Sequence, residues 1–324
     1  MKNCPNCGAQ EPPCNEKTKE LREQRIGQIR YNYNGEKGIC IGFIGNGATH
    51  VIIQLDNNIT HVARWSNFNK GKFHRKNTSR IGEKKCNTQG SQMTIINYNN
   101  YHDIDVEFQT GYVAHHVDYD SFKKGTIKDL LFPSVFKVGY FGNGNFTAYS
   151  EYLGVKIYQT WSSMFNRCYN KKYHEIYPAY IGTTIDEEWH DYQVFAKWAI
   201  ENIYSIPNEK LYLDKDILVK NNKVYSADRC CFVPREINNL FTKHDKSRGQ
   251  NVIGVSYRNN KYIVSVARKD LGPYVKRFSS EIEAFNEYKK IKEEYIRYVA
   301  NKYKKYIPQK LYAALNTYVV EIND

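Results

Sequence analysis

Two short stretches of this 324-residue chain carry residue types that do chemistry. The first is Cys4-Pro5-Asn6-Cys7-Gly8, a turn that points two thiols at one spot, the spacing a structural zinc uses. Cys14 is the third candidate zinc ligand and Cys40 or Cys86 a distant fourth, but no second CxxC or HxxxH follows. An incomplete knuckle, or two idle thiols, is the alternative. The second stretch is 211–240, LYLDKDILVKNNKVYSADRCCFVPREINNL. It sets Asp214, Lys215 and Asp216 side by side, Asn222 in an Asn-rich turn, and Asn238 four residues beyond Pro234. A lysine with an ordinary pKa near ~10.4 is protonated at neutral pH and accepts no proton without substantial desolvation. Lys215 therefore suits a phosphate clamp better than a base.

The elements that position these residues are legible. An alternating apolar stretch runs into Asp214, Asn221-Asn222 makes a turn, Cys231-Phe232-Val233 is a strand, and a helix follows Pro234. Strand, turn, strand, helix, with Asp early and Asn late, resembles the ββα-metal site of HNH endonucleases. The resemblance implies that Asp214 and Asn238 are ligands of a divalent cation, Mg or Mn, and that Asn222 braces the turn. In such sites the metal stabilises the scissile phosphate and the leaving oxygen while a base activates water. The family's base is a His next to the Asp, where this chain has Lys215. Asp216, or His174 or His190 from elsewhere, is then the candidate base. Three readings follow: a nuclease with altered base chemistry, a ββα fold that grips DNA without cutting it, and an unrelated hairpin–helix whose DKD forms a turn.

Charge points to the partner. Lys and Arg number 47 against 34 Asp and Glu, a net +13, and residues 241–310 alone hold 17 against 7. A basic third on a nearly balanced remainder suggests a polyanion, with a solvated basic helix face as the plain alternative. A mean hydropathy of −0.68 and the lack of any apolar run near ~20 residues exclude a membrane-spanning helix. Aromatics at 15% argue against disorder. Eight scattered Cys and an N-terminus without an apolar h-region point to a reducing cytoplasm, that of the host cell if the chain is phage-encoded.

An internal repeat precedes the candidate site. Arg25-Ile26-Gly27 opens one copy and Arg80-Ile81-Gly82 the other; Gly35 matches Gly90, and the copies close on Ser66–Gly71 and Asp120–Gly125. Apolar alternations at 50–62 and 104–117 break at Asn57-Asn58 and Thr110-Gly111, where hairpin turns belong. Each copy is predicted to be a small bent β-sheet or barrel that resembles Tudor-like modules, which bind peptides or nucleic acids or brace neighbours. His115 and His116 read as surface or packing residues. From Tyr158 the period becomes helical through Trp161, Phe165 and Cys168, and again after Glu187-Glu188 through Trp189, Tyr192, Phe195 and Trp198. These aromatics read as core; Arg167, Lys171 and Lys172 are candidate phosphate contacts or solvated charges.

The basic third has its own pattern. Gly254-Val255-Ser256-Tyr257 starts a strand, Asn259-Asn260 turns, Lys261–Val266 is a second strand and Tyr274–Phe278 a third. Ser279 or Ser280 then caps a helix with Glu281 and Glu283 in its first turn and a stripe of Phe285, Tyr288, Tyr295, Val299 and Tyr303. The G-V opening, Asn260-Lys261-Tyr262, Phe278 and the Glu283-Ala284-Phe285…Tyr288 helix resemble the ethylene-response-factor type of DNA-binding domain. Tyr262 stands for that family's Trp, and Val275, Lys276 and Arg277 replace its Leu-Gly. The resemblance implies a sheet lying in the major groove, with Arg258, Lys261, Tyr262, Arg268, Lys276 and Arg277 contacting DNA. A sheet and helix that bind protein or nothing is the alternative.

The expected fold class is α+β and multidomain: a Cys-containing tip (1–24), two β modules (25–75 and 76–130), a helical and HNH-like ββα domain (131–245) and a basic sheet–helix domain (246–324). The combination resembles phage HNH homing-type endonucleases with a C-terminal DNA-binding domain. It implies a sequence-preferring binder of double-stranded DNA that nicks or cuts with a divalent metal. The rivals are a non-cleaving DNA-binding or regulatory protein, and an interaction protein whose β modules bind a host protein.

Overall fold

The computed structural model describes residues 16–324 except 34, 46, 57, 59, 74–79 and 243–250. Cys4, Cys7 and Cys14 of the candidate zinc turn, Asn57 of the first hairpin turn, and the expected boundary at 245–246 lie outside the described residues. The fold is α+β, built from several small sheets and helices in two compact units, residues 1–129 and 130–324.

The first unit contains α1 (Glu16–Arg25) and two copies of one pattern. In the first copy β1 (Ile29–Tyr31), β2 (Lys37–Phe43), β3 (His50–Leu55) and β4 (Thr60–Arg64) form an antiparallel meander closed by the short helix α2 (Trp65–Asn69). In the second, β5 (Lys84–Cys86), β6 (Gln92–Asn100), β7 (Asp103–Phe108) and β8 (Val113–Val117) lead to α3 (Tyr119–Lys124). Alternation buries one face of each sheet: Val51, Ile53 and Leu55 from β3, and Ile104, Val106 and Phe108 from β7. Phe68 and Phe73 complete one core, Tyr119 and Phe122 the other.

The repeat extends to single hydrogen bonds. Gly27 N–H donates to Cys40 O at 2.7 Å and Gly82 N–H to Ile95 O at 2.8 Å; Asn32 N–H donates to Glu36 O and Asn87 N–H to Ser91 O, both at 2.9 Å. The guanidinium of Arg25 lies 4.4 Å from the Trp65 ring, and that of Arg80 lies 4.1 Å from the Tyr119 ring. Gly71 and Gly125 have φ of +66° and +70°, and a Cβ there would meet the Tyr31 and Cys86 carbonyl oxygens at 2.6 and 3.1 Å. A backbone approach that close needs glycine in both copies.

In the second unit β9 (Glu151–Tyr152) and β10 (Val155–Lys156) form a small hairpin before α4 (Ile157–Tyr169) and α5 (Lys171–Ile176). The expected second helix divides: Glu187–His190 is one 3₁₀ turn, and α6 (Tyr192–Asn202) starts anew because the Asp191 side chain accepts Gln193 N–H at 2.7 Å. Trp161, Phe165, Trp189, Tyr192 and Phe195 are fully buried, and Trp161 Nε1–H donates to Trp189 O at 2.8 Å. These aromatics are core, as their spacing requires. β11 (Thr184–Ile185) pairs in parallel with β13 (Val224–Tyr225), while β12 (Leu211–Asp214) pairs antiparallel with β14 (Cys231–Pro234), which runs into α7 (Arg235–Leu240).

β15 (Val255–Arg258), β16 (Lys261–Val266) and β17 (Tyr274–Phe278) form an antiparallel sheet in that order, and α8 (Glu281–Tyr303) packs on it. Gly254 has φ +74° and lies against the Tyr288 ring, so a Cβ would collide with it. Ser280 holds the N-cap position of α8 but its hydroxyl makes no cap bond. The second half of α8 leaves the sheet: Tyr295, Ile296, Val299, Ala300 and Tyr303 join the larger core with Leu311 and Leu315 of α9 (Gln309–Asn316). One long helix thus ties the basic sheet to the ββα segment. Among the described residues, no helix is long and apolar enough to cross a membrane.

Candidate nucleic-acid interface

The expected strand, turn, strand and helix are present as β12, β14 and α7, with Asp214 ending β12 opposite Cys231. Its Oδ1 accepts N–H from Asp216 and Ile217, both at 2.8 Å, so this carboxylate caps the turn that follows. Burial pushes the Asp214 carboxyl up, against those two bonds. Lys215 does not reach outward as a phosphate clamp. Its side chain is 8% exposed, and its ammonium donates to both Asp216 oxygens at 2.6 and 2.7 Å and to Asn222 O at 3.0 Å. All three ammonium protons are thereby used. Asn222 braces the turn: its amide donates to Lys215 O at 2.8 Å and Val224 O at 2.6 Å, and its oxygen accepts Val224 N–H at 3.1 Å.

Asn238 is half-buried on α7; its backbone carbonyl accepts from Phe241 N–H and Thr242 Oγ1, and its side chain makes no hydrogen bond with a described residue. His174 Nε2 bonds Arg167 O at 2.7 Å, and His190 Nε2 is buried without a partner among the described residues; neither ring bonds Asp214 or Asp216. No group of three or more His, Cys, Asp or Glu that could hold a metal ion occurs among the described residues. The donors the ββα segment offers are Asp214 Oδ2 and the Asn238 amide, and the charge of Lys215 next to Asp214 opposes a cation there. Arg167 is turned inward, 3.3 Å from the Tyr225 hydroxyl and over the Tyr180 ring, while Lys171 and Lys172 are exposed. Burial pushes the Cys168 thiol up to about 12, so it is inert at neutral pH.

The basic sheet separates its cations by face. Val255 opposes Val264 and Tyr257 opposes Tyr262, so these side chains share the helix side. Arg258 opposes Lys261 and Ile263 opposes Arg277, which puts all three cations on the other, open face. Lys261 Nζ donates to Ser279 Oγ at 3.0 Å; the Arg258 and Arg277 side chains are exposed and make no hydrogen bond or ion pair with a described residue. Three of the expected DNA-contact residues lie off that face. Tyr262 faces α8 and packs against Tyr257, ring centroids 4.8 Å apart. Lys276 is on the helix side, 3.1 Å from Glu287 of α8, which raises its pKa. Arg268 Nε donates to Gly272 O at 3.1 Å in the β16–β17 loop.

No family model matches the chain, and no curated protein does either. The geometry therefore carries the functional argument.

Sequence reasoning missed one residue of this unit. Lys292 lies four residues after Tyr288 and three before Tyr295, both buried, and thus within the packed stripe of α8. Its ammonium makes no hydrogen bond or ion pair with a described residue, and burial alone lowers its pKa to about 8. The available signal was a lysine at a stripe position where periodicity asks for an apolar side chain.

Proposed function

We propose that this chain binds double-stranded DNA through the open face of β15–β17. The observation that carries the reading is that Arg258, Lys261 and Arg277 share one exposed face while neither arginine side chain has a partner among the described residues. Arg258 and Lys261 stand directly opposite across the hairpin, an arrangement that costs stability until an anion lies over both. The resemblance to the ethylene-response-factor type of domain and the charge of residues 241–310 support the same partner. Phosphate contacts would supply affinity, and an arginine reaching guanine edges in the major groove would supply sequence preference.

A second reading, a nick or cut at the ββα segment, is favoured by one observation: β12, β14 and α7 follow the HNH order with Asp214 at the strand end. In it Asp214 and Asn238 would hold Mg or Mn. The test has two parts. Fluorescence anisotropy with a labelled duplex over a salt series should show a steep salt dependence that Arg258→Glu with Arg277→Glu flattens; binding unchanged by the pair would sink the DNA-binding face. Supercoiled plasmid with magnesium or manganese, wild type against Asp214→Ala, addresses cleavage: plasmid left intact by wild type while duplex is still bound removes the nuclease reading and leaves the binder.

A further inference from the structure

An open groove of about 1100 Å³ lies beside the proposed DNA face. Residues of both sheet faces line it, Ser256, Ile263 and Ser265 of the open face and Val255 and Val266 of the helix side, so it borders the proposed DNA face. Arg235 of α7, Lys269 of the β16–β17 loop and Lys292 of α8 line it from three different elements. None of these three side chains makes a hydrogen bond or ion pair with a described residue. Arg268 adds a fourth cation, anchored to Gly272 O.

The carboxylates that line the groove are partly engaged by neighbours. The Tyr303 hydroxyl, with one proton to share, lies 2.6 Å from Glu209 Oε1 and 2.9 Å from Glu236 Oε2, and Lys302 Nζ donates to Glu236 Oε2 at 2.9 Å. Asp270 of the neighbouring loop bonds Lys302 Nζ at 2.6 Å. These contacts gather round Lys302 and Tyr303, some ten residues or ~15 Å along α8 from Lys292. Glu236 Oε1 is buried and unpartnered among the described residues. The groove lining thus holds four cations and two carboxylates, and the carboxylate contacts gather near the end of α8, away from Lys292. An ammonium in a packed helical stripe with nothing opposite it is costly, and an anion supplied from outside removes that cost.

We propose that this groove is a phosphate-binding channel in which Arg235, Lys269 and Lys292 grip the backbone of the same duplex that lies on the sheet. The proposal rests on the DNA-binding reading and extends the interface from the sheet to α7 and α8. Lys292 enters it as the contact that gains most, since a phosphate beside it favours the charged form that burial disfavours.

The test compares Lys292→Met and the pair Arg235→Ala with Lys269→Ala against Arg258→Glu with Arg277→Glu, by anisotropy on a duplex of about thirty base pairs over a salt series. Lys292→Met removes a buried charge, so its folding is safe and is checked by a melt. We expect affinity about five- to tenfold weaker for Lys292→Met, and a salt slope lower by about 0.9 for each phosphate contact removed. If the groove variants match wild type in affinity and slope while the sheet variants lose binding, the channel is overturned and the DNA-binding reading stands. If the sheet variants also bind like wild type, that reading falls and the channel with it. A second readout needs no affinity change. Pyridoxal phosphate, an aldehyde bearing a phosphate, condenses with an unprotonated amine and loses water; borohydride then reduces the imine to a stable secondary amine. Mass spectrometry should find Lys292 labelled in the free protein and protected by saturating duplex. Labelling that duplex leaves unchanged overturns the channel.

Discussion

The ββα segment and the C-terminal sheet are both small antiparallel sheets backed by a helix, of two and three strands, and both are rich in charged and amide side chains. They differ in where those groups find partners. Around Asp214, Lys215 and Asn222 almost every donor is answered internally, by backbone N–H groups, carbonyls and Asp216. On the sheet, Arg258 and Arg277 are answered by nothing in the described chain. Satisfied buried polar groups hold a turn in one conformation, whereas unsatisfied exposed cations are free for a ligand. Residue type alone does not separate the two cases; the hydrogen-bond accounting does.

The contrast can be broken most directly at the sheet. Arg258→Glu with Arg277→Glu should weaken duplex binding about 100-fold or more at moderate salt and lower the salt slope by roughly 1.8. A melt of the double variant close to wild type would show that the loss is in the interface. Next in size, Asn222→Ala should cost about 2–4 kcal/mol, because Lys215 O and Val224 O lose their donor inside the fold. A fall of roughly 5–15 °C in Tm checks this. Duplex affinity measured well below the melt should stay at the wild-type value; a comparable loss there would erase the division between scaffold and interface.

Lys292 gives a smaller effect with a defined pH course. Burial lowers its pKa to about 8 in the folded chain from an ordinary 10.5. Between those values the unfolded chain binds more protons, so stability rises with pH across that window, and below about 8 the cost is present in full. Lys292→Met should therefore raise Tm at pH 7 by a few degrees, about 1–2 kcal/mol, and flatten the dependence between pH 8 and 10.5. A melt series from pH 7 to 10 in the absence of DNA reads both. Smallest of all, Lys276→Ala should change duplex affinity by less than about twofold, since that cation faces α8 and is held by Glu287. A loss as large as that of Arg277 would mean that the sheet's faces have been assigned wrongly.

Much of the architecture was legible from residue patterns. Period-2 alternation and matched glycines located both copies of the β module, because a backbone passing a neighbouring carbonyl as closely as at Gly71 and Gly125 leaves no room for a Cβ. The Asn259-Asn260 turn has φ of +49° and +55°, the left-handed pair that a two-residue hairpin needs. The stripe of α8 and the strand–strand–helix order around Asp214 were also readable. The second helix was overextended, since Trp189 belongs to a 3₁₀ turn that ends where Asp191 caps α6. The site was only half legible. Listing Arg258, Lys261, Tyr262, Arg268, Lys276 and Arg277 together ignored strand parity, and parity sends Tyr262 and Lys276 to the opposite side from the other strand cations.

The amino-acid sequence by itself located most of the elements and a net charge of +13, of which +10 lies in residues 241–310, because periodicity, turn chemistry and charge are local or additive properties. Only the tertiary structure decided which charges are spent. Lys215 is consumed by Asp216 and Asn222, Lys276 by Glu287, and Lys292 has no partner among the described residues, because a side chain's partners come from elements that meet only in space. Whether a cation is part of a scaffold or available to a polyanion is therefore a property of the fold, and burial with its hydrogen bonds is the physical term that assigns it.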